Sequence, residues 1–133
     1  MHTSVALVTL LALFVYVWTL ARAGGARGKF GVEAPATTGH PEFERHFRVQ
    51  ANTLEGIVIF LPALWVFAIF SGQDLIAAGL GLVWVVGRVV YALSYAKEAK
   101  TRSAGFGIQA LATLALLLGA LGFVGWQIVK HGF

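Results

Sequence analysis

Arg48, Asn52 and Glu55 are spaced four and three residues apart in the run Glu44-Arg-His-Phe-Arg-Val-Gln-Ala-Asn-Thr-Leu-Glu55. This run passes without a break into the apolar Gly56–Phe70. In one continuous helix, at about 100° per residue, the three side chains fall within roughly 60° of arc on one face. That face carries a guanidinium, an amide and a carboxylate into or near the hydrocarbon of a bilayer. A charge there costs about 2.5–3.5 kcal/mol on insertion scales, so such groups point into a bundle and mark a site. The simpler alternative is an Arg–Glu pair that only fixes helix register. A second constellation lies in Arg88-Val-Val-Tyr91-Ala-Leu-Ser-Tyr95. The same spacing rule places Arg88, Tyr91 and Tyr95 on one narrow stripe, joined by Arg102 if the helix continues that far. Guanidiniums bind carboxylates in a planar fork, Glu55 could accept an ammonium and Asn52 could read a peptide amide. The ligand this chemistry suits is small, water-borne, and zwitterionic or multiply anionic. The apolar faces around it suit a lipophilic second substrate entering from the bilayer.

Composition says what must hold these groups. The 133 residues are 58% hydrophobic and only 12% charged, far from the balance of a soluble domain. The expectation is one all-α integral membrane unit. Without cysteine the chain has no thiol or disulfide of its own, so any sulfur chemistry must use a ligand's sulfur. A net charge of +4, scattered along the chain, gives no nucleic-acid footprint. Nor does any His/Asp/Glu spacing suggest a metal site.

Four apolar stretches, each near the ~20 residues a bilayer requires, predict helices over about residues 3–23, 42–70, 74–99 and 105–129. The first lacks a positively charged leader and reads as a retained transmembrane helix. Gly24-Gly25, Gly28 and Pro35 predict an irregular connection from Gly24 to Pro41. Glu42 and Glu44 suit the first turn of the second helix, and Pro62 should kink it. Ser71-Gly72-Gln73 reads as a tight turn, with Asp74 opening the third helix. Gly79, Gly81, Gly119, Gly122 and Gly125 are the small residues expected to let helices approach. Trp18 and Trp126 are candidate interface anchors. Arg22, Arg27, Lys29, Arg45, Lys97, Lys100 and Arg102 fall on the side of the two longer loops, against Lys130 on the other. Positive-inside bias then puts the loops and the site in the cytoplasm, in a bacterial inner membrane or an endoplasmic-reticulum type membrane, with both termini opposite.

At these residues the chain resembles the MAPEG family, membrane-associated proteins in eicosanoid and glutathione metabolism. Pro41–Glu55 is similar to the family's second-helix signature, and Phe60-Leu-Pro-Ala-Leu-Trp65 to its continuation. Gly87-Arg88-Val-Val-Tyr91, with Tyr95 and Arg102, resembles the third-helix motif of the leukotriene C4 synthase and microsomal glutathione transferase branch. The resemblance implies a homotrimer of four-helix subunits that binds glutathione between neighbouring subunits. It makes Arg48, Gln50, Asn52, Glu55, Arg88, Tyr91 and Tyr95 the glutathione-binding residues. Gln50, about 200° around the helix from Arg48, would face a different neighbour. Arg102 matches the arginine that stabilises the thiolate. A neighbouring cation lowers a free thiol's pKa from about 8.5, and the thiolate then attacks a lipophilic electrophile or a lipid hydroperoxide.

The resemblance thus implies a glutathione transferase, with glutathione-dependent peroxidase as a second activity and detoxification as the role. The alternative is a non-catalytic lipid-binding scaffold of the activating-protein type, a branch without the arginine at position 102. A small four-helix exporter ranks third, because Glu55 sits among arginines and the first helix has no carboxylate for proton coupling. One departure stands out: a first-loop arginine of the leukotriene branch aligns with Gly28, flanked here by Arg27 and Lys29.

Overall fold

The computed structural model describes residues 1–97 and 103–133. These form α1 (Thr3–Phe30), α2 (Pro41–Ser71), α3 (Asp74–Lys97) and α4 (Ser103–His131). All four are long and apolar enough to cross a membrane. The helices run alternately up and down. α2 and α3 form the middle of the bundle and touch each other; each also packs against both α1 and α4.

α1 corrects the sequence expectation. It runs unbroken through Gly24, Gly25 and Gly28 to Phe30, about two turns beyond the anticipated end. Glycine lowers helix propensity by about 1 kcal/mol, but tertiary contacts outweigh that here. Ala26 packs with Val32 and Phe43 in a small cluster bordered by Phe30 and Phe47. The Arg27 guanidinium lies 4.6 Å over the Phe43 ring and donates to the carbonyls of Val32 and Ala36 at 3.2 and 2.8 Å. The helix stops at Gly31, whose φ of 66° is left-handed and whose N–H caps Arg27 O. This is the ordinary glycine C-cap.

α2 opens with His40 as N-cap, its Nδ1 accepting from the Glu42 N–H at 3.2 Å, and with Glu42 and Glu44 in the first turn. It continues through Pro62 without interruption. Gly72, at φ 68°, closes it with a bond to Ala68 O, and Asp74 begins α3. There the His2 ring nitrogen meets both Asp74 carboxylate oxygens, at 2.8 and 2.9 Å. This pins the start of α1 to the start of α3. At the other end, Arg45 Nε donates to Ala96 O at 3.1 Å, tying the start of α2 to the end of α3.

Within the bilayer, lipid is as apolar as leucine, so helices associate through close packing and a few polar bonds. Phe60 and Trp84 stack with ring centroids 4.2 Å apart and planes 1° from parallel. Trp65 Nε1 donates to Thr9 Oγ1 at 2.9 Å. The glycines are partly as expected. A Cβ on Gly81 would lie 2.6 Å from Val8, and one on Gly119 2.6 Å from Phe67, whereas Gly79, Gly122 and Gly125 face open space. The tightest approach is at Gly105, with Gly87 facing it across the same crossing. A Cβ on Gly105 would fall 2.3 Å from the Tyr91 nitrogen and 2.7 Å from Gly87 O. The α3–α4 crossing is therefore built at the level of Tyr91.

Candidate functional site

Arg88 is 1% exposed, among the largest fully buried side chains. α3 directs it toward the seam of α2 and α4, where its Nη1 donates to Asn52 Oδ1 at 3.0 Å. Its guanidinium carbon lies 4.3 Å from the Tyr91 ring centroid and 5.7 Å from that of Trp84. Gly56 of α2 borders this group: a Cβ there would be in ordinary contact, 3.5 Å from Arg88 Nη2 and 3.8 Å from Gln109 Oε1. Along the helix axes Asn52 and Arg88 both lie about 13–17 Å from the loop end. The guanidinium is thus held below the surface.

Arg88, Asn52 and Glu55 line one groove between α2 and α4, with room for about 320 Å³ and with Gln109 and Thr113 on the α4 wall. Arg88 Nε is buried without a hydrogen-bond partner among the described residues. A buried charged donor left unpaired is costly, so the groove favours an acceptor supplied by a ligand. Glu55 is exposed on the groove rim, where a carboxylate can receive an ammonium.

Arg48 opens elsewhere. It is exposed and lines a second groove nearer the loop end, with Glu44, Arg45, Tyr95 and Lys97. The link between the two grooves is a pair of phenols. Tyr91, 3% exposed, stands against Arg88, and its ring centroid is 5.6 Å from that of half-buried Tyr95. The expected single convergence is therefore a chain of contacts: Asn52–Arg88–Tyr91–Tyr95, with Arg48 beside its outer end. Gln50 turns away from all of these; its Nε2 donates to Tyr16 Oη of α1 at 3.4 Å. Arg102 lies outside the described residues.

Sequence reasoning passed over Gln109, a buried amide. Its signal is an amide within the apolar run Gly105–Val124, which is otherwise broken only by Thr113. Nor does the sequence single out Trp84, an aromatic in an apolar run, whose ring centroid lies 5.7 Å from the Arg88 guanidinium carbon.

The MAPEG family profile matches residues 5–122. The chain is 48% identical to human microsomal glutathione S-transferase 2 over 103 residues, covering 74% of this chain and 67% of that protein. It is 40% identical to bovine leukotriene C4 synthase over 118 residues, covering 88% and 78%. An uncharacterized Synechocystis protein is 47% identical over 123 residues, covering 92% and 89%. Family profile, relatives and four apolar helices agree: this integral membrane protein belongs to the MAPEG family.

Proposed function

We propose that the protein is a membrane-bound glutathione transferase that activates the glutathione thiol for attack on lipophilic electrophiles. The carrying observation is the buried Arg88, bonded to Asn52 in a groove that Glu55 also lines. Two of the tripeptide's features fit it. A glutathione carboxylate gives the unpaired Arg88 Nε an anionic acceptor, and the γ-glutamyl ammonium gives Glu55 a cation. Relatives named as glutathione S-transferase and leukotriene C4 synthase support the same substrate class.

In this reading Tyr91 and Tyr95 line the route from the groove toward Arg48, and Arg102 holds the sulfur as thiolate. The thiolate forms a bond from sulfur to the electrophilic carbon of the second substrate. Either the bond to the leaving group breaks and that group departs as its anion, or the carbanion or alkoxide left by addition takes a proton from water. With a lipid hydroperoxide, the same thiolate would attack the outer oxygen and release the alcohol, and a second glutathione would then yield the disulfide and water. The active assembly is a homotrimer in which a neighbour's Gln50 completes each site, with the site on the cytoplasmic side.

The test measures glutathione binding by calorimetry and conjugation of 1-chloro-2,4-dinitrobenzene in purified, detergent-solubilised protein. Saturable binding with turnover, both lost in Arg88→Gln, is expected. Binding of lipid with no glutathione binding at all would instead make the chain a lipid scaffold. Turnover of cumene hydroperoxide with glutathione decides the peroxidase reaction separately.

A further inference from the structure

α1 carries a second stripe that the proposed glutathione chemistry does not use. At about 100° per residue, Leu11, Trp18, Arg22 and Lys29 lie within roughly 40° of arc. In the apolar half of the helix, Leu11 and Trp18 form a furrow of about 290 Å³ with Val85 and Val89 of α3. Toward the loop end, Arg22 and Lys29 form a polar cleft with Glu42 and His46 of α2. The two are neighbours: the guanidinium of Arg22, which lines the cleft, lies 4.8 Å over the ring of Trp18, which lines the furrow. Tryptophan and a snorkelling arginine mark headgroup depth. Arg22 Nη1 is buried there with no hydrogen-bond partner among the described residues. A buried N–H of a cation without an acceptor is costly. An oxygen from outside the chain would remove that cost.

We propose that the furrow and the neighbouring cleft together bind one anionic phospholipid, its phosphate on Arg22 and Lys29 and an acyl chain along Leu11 and Trp18. The charge balance selects the lipid class. Arg22 and Lys29 outweigh Glu42 even with His46 neutral, which favours a headgroup of net negative charge over a zwitterionic one. The adjoining apolar furrow favours a lipid over free phosphate, which would leave it unfilled.

The experiment uses the full chain in detergent micelles doped with phosphatidylglycerol or phosphatidylcholine carrying brominated acyl chains. Bromine quenches indole fluorescence on contact, and subtraction of the Trp18→Phe spectrum isolates Trp18. The expected result is half-maximal quenching of Trp18 at about five- to tenfold less phosphatidylglycerol than phosphatidylcholine, one basic side chain's worth of surface attraction. Trp126, exposed at the far end of α4, should show no such preference. Arg22→Gln should bring the ratio near one, and Glu42→Gln should raise it, so a failure of one variant to fold leaves the other decisive. Equal quenching by both lipids in wild type overturns the proposal, as does a ratio that neither substitution moves. Loss of the phosphatidylglycerol signal on adding inorganic phosphate or glycerol phosphate also overturns it, and would assign the cleft to free phosphate.

Discussion

Asn52 Oδ1 accepts the Arg88 Nη1 hydrogen bond at 3.0 Å and so ties α2 to α3 through a buried guanidinium. Hydrogen bonds to charged groups contribute about 1.5–3 kcal/mol, and removing one partner leaves the other's desolvation uncompensated. Asn52→Ala is therefore expected to cost about 1.5–3 kcal/mol, read as a lowered unfolding midpoint in detergent. Asn52→Asp, which keeps an acceptor and adds a charge partner, should unfold near the wild-type midpoint. If Asn52→Ala were as stable as wild type, this bond would not be holding the pocket.

Gly105 and Gly79 make opposite predictions from the same residue type. A Cβ on Gly105 would collide with the Tyr91 backbone, which cannot swing aside as a side chain can. Gly105→Ala is expected to cost about 1–3 kcal/mol or more through overpacking, and to weaken glutathione binding because Tyr91 must move. Gly79 has nothing within 4 Å of its would-be Cβ. Gly79→Ala should be neutral, or stabilise by up to about 1 kcal/mol through helix propensity. Parallel thermal unfolding of the two variants checks both.

That contrast shows what could be read from the chain alone. The four spans were legible, because runs of apolar residues of membrane-crossing length leave few alternatives. So was the shared face of Asn52 and Glu55, a consequence of helical spacing. Which glycines matter was not: Gly79 and Gly105 look alike until the helix crossing is known. The extension of α1 to Phe30 was hidden for a related reason, since Gly24, Gly25 and Gly28 argue locally against helix. The opposing contacts of Ala26 and Arg27 with Phe43 are long-range, and those with Val32 need the turn at Gly31. Nor does spacing reveal that Arg88 is buried and Arg48 exposed. That difference depends on α4 covering one stretch of the α2–α3 seam and not the other.

The hydrogen bond from Trp65 Nε1 to Thr9 Oγ1 joins α2 to α1 in the apolar half of the bundle. Interhelical bonds of this kind average about 0.6 kcal/mol and reach about 1.7 kcal/mol in membranes. Thr9→Val preserves shape while removing the acceptor, and should lower stability by an amount in that range. Thr9→Ser should restore it. A Thr9→Val protein with an unchanged unfolding midpoint would mean that Trp65 finds another acceptor.

The proposed role of Arg102 gives a pH signature. A cation beside the bound thiol favours the thiolate and holds the thiol's pKa below the free value of about 8.5. Arg102→Ala removes that stabilisation, so the pKa rises and the thiolate fraction at neutral pH falls. The conjugation rate at pH 7 should drop about tenfold for each unit by which the pKa rises beyond that pH, and be partly recovered as pH increases. Ultraviolet thiolate absorbance of bound glutathione should move to higher pH in step. Arg102→Lys, keeping the charge without the planar fork, should fall between. A pH profile unchanged in Arg102→Ala would remove this residue from the chemistry.

Gln50 offers a test of the shared site. Its side chain reaches toward Tyr16 on α1, away from the Arg88 groove of its own subunit. If it nevertheless contributes to glutathione binding, it must do so in a neighbour's site. Gln50→Ala and Arg88→Gln would then damage opposite halves of each interface. Co-expressed in equal amounts and purified together, they should assemble at random, so that about a quarter of all interfaces pair an intact groove with an intact glutamine. Activity should therefore exceed the mean of the two separately purified variants and approach about a quarter of wild type if each variant alone is inactive. Activity equal to the mean of the parents would place Gln50 and Arg88 in one subunit's site, or remove Gln50 from the site altogether. Glutathione affinity of Gln50→Ala alone separates those two outcomes: weakened in the first, unchanged in the second.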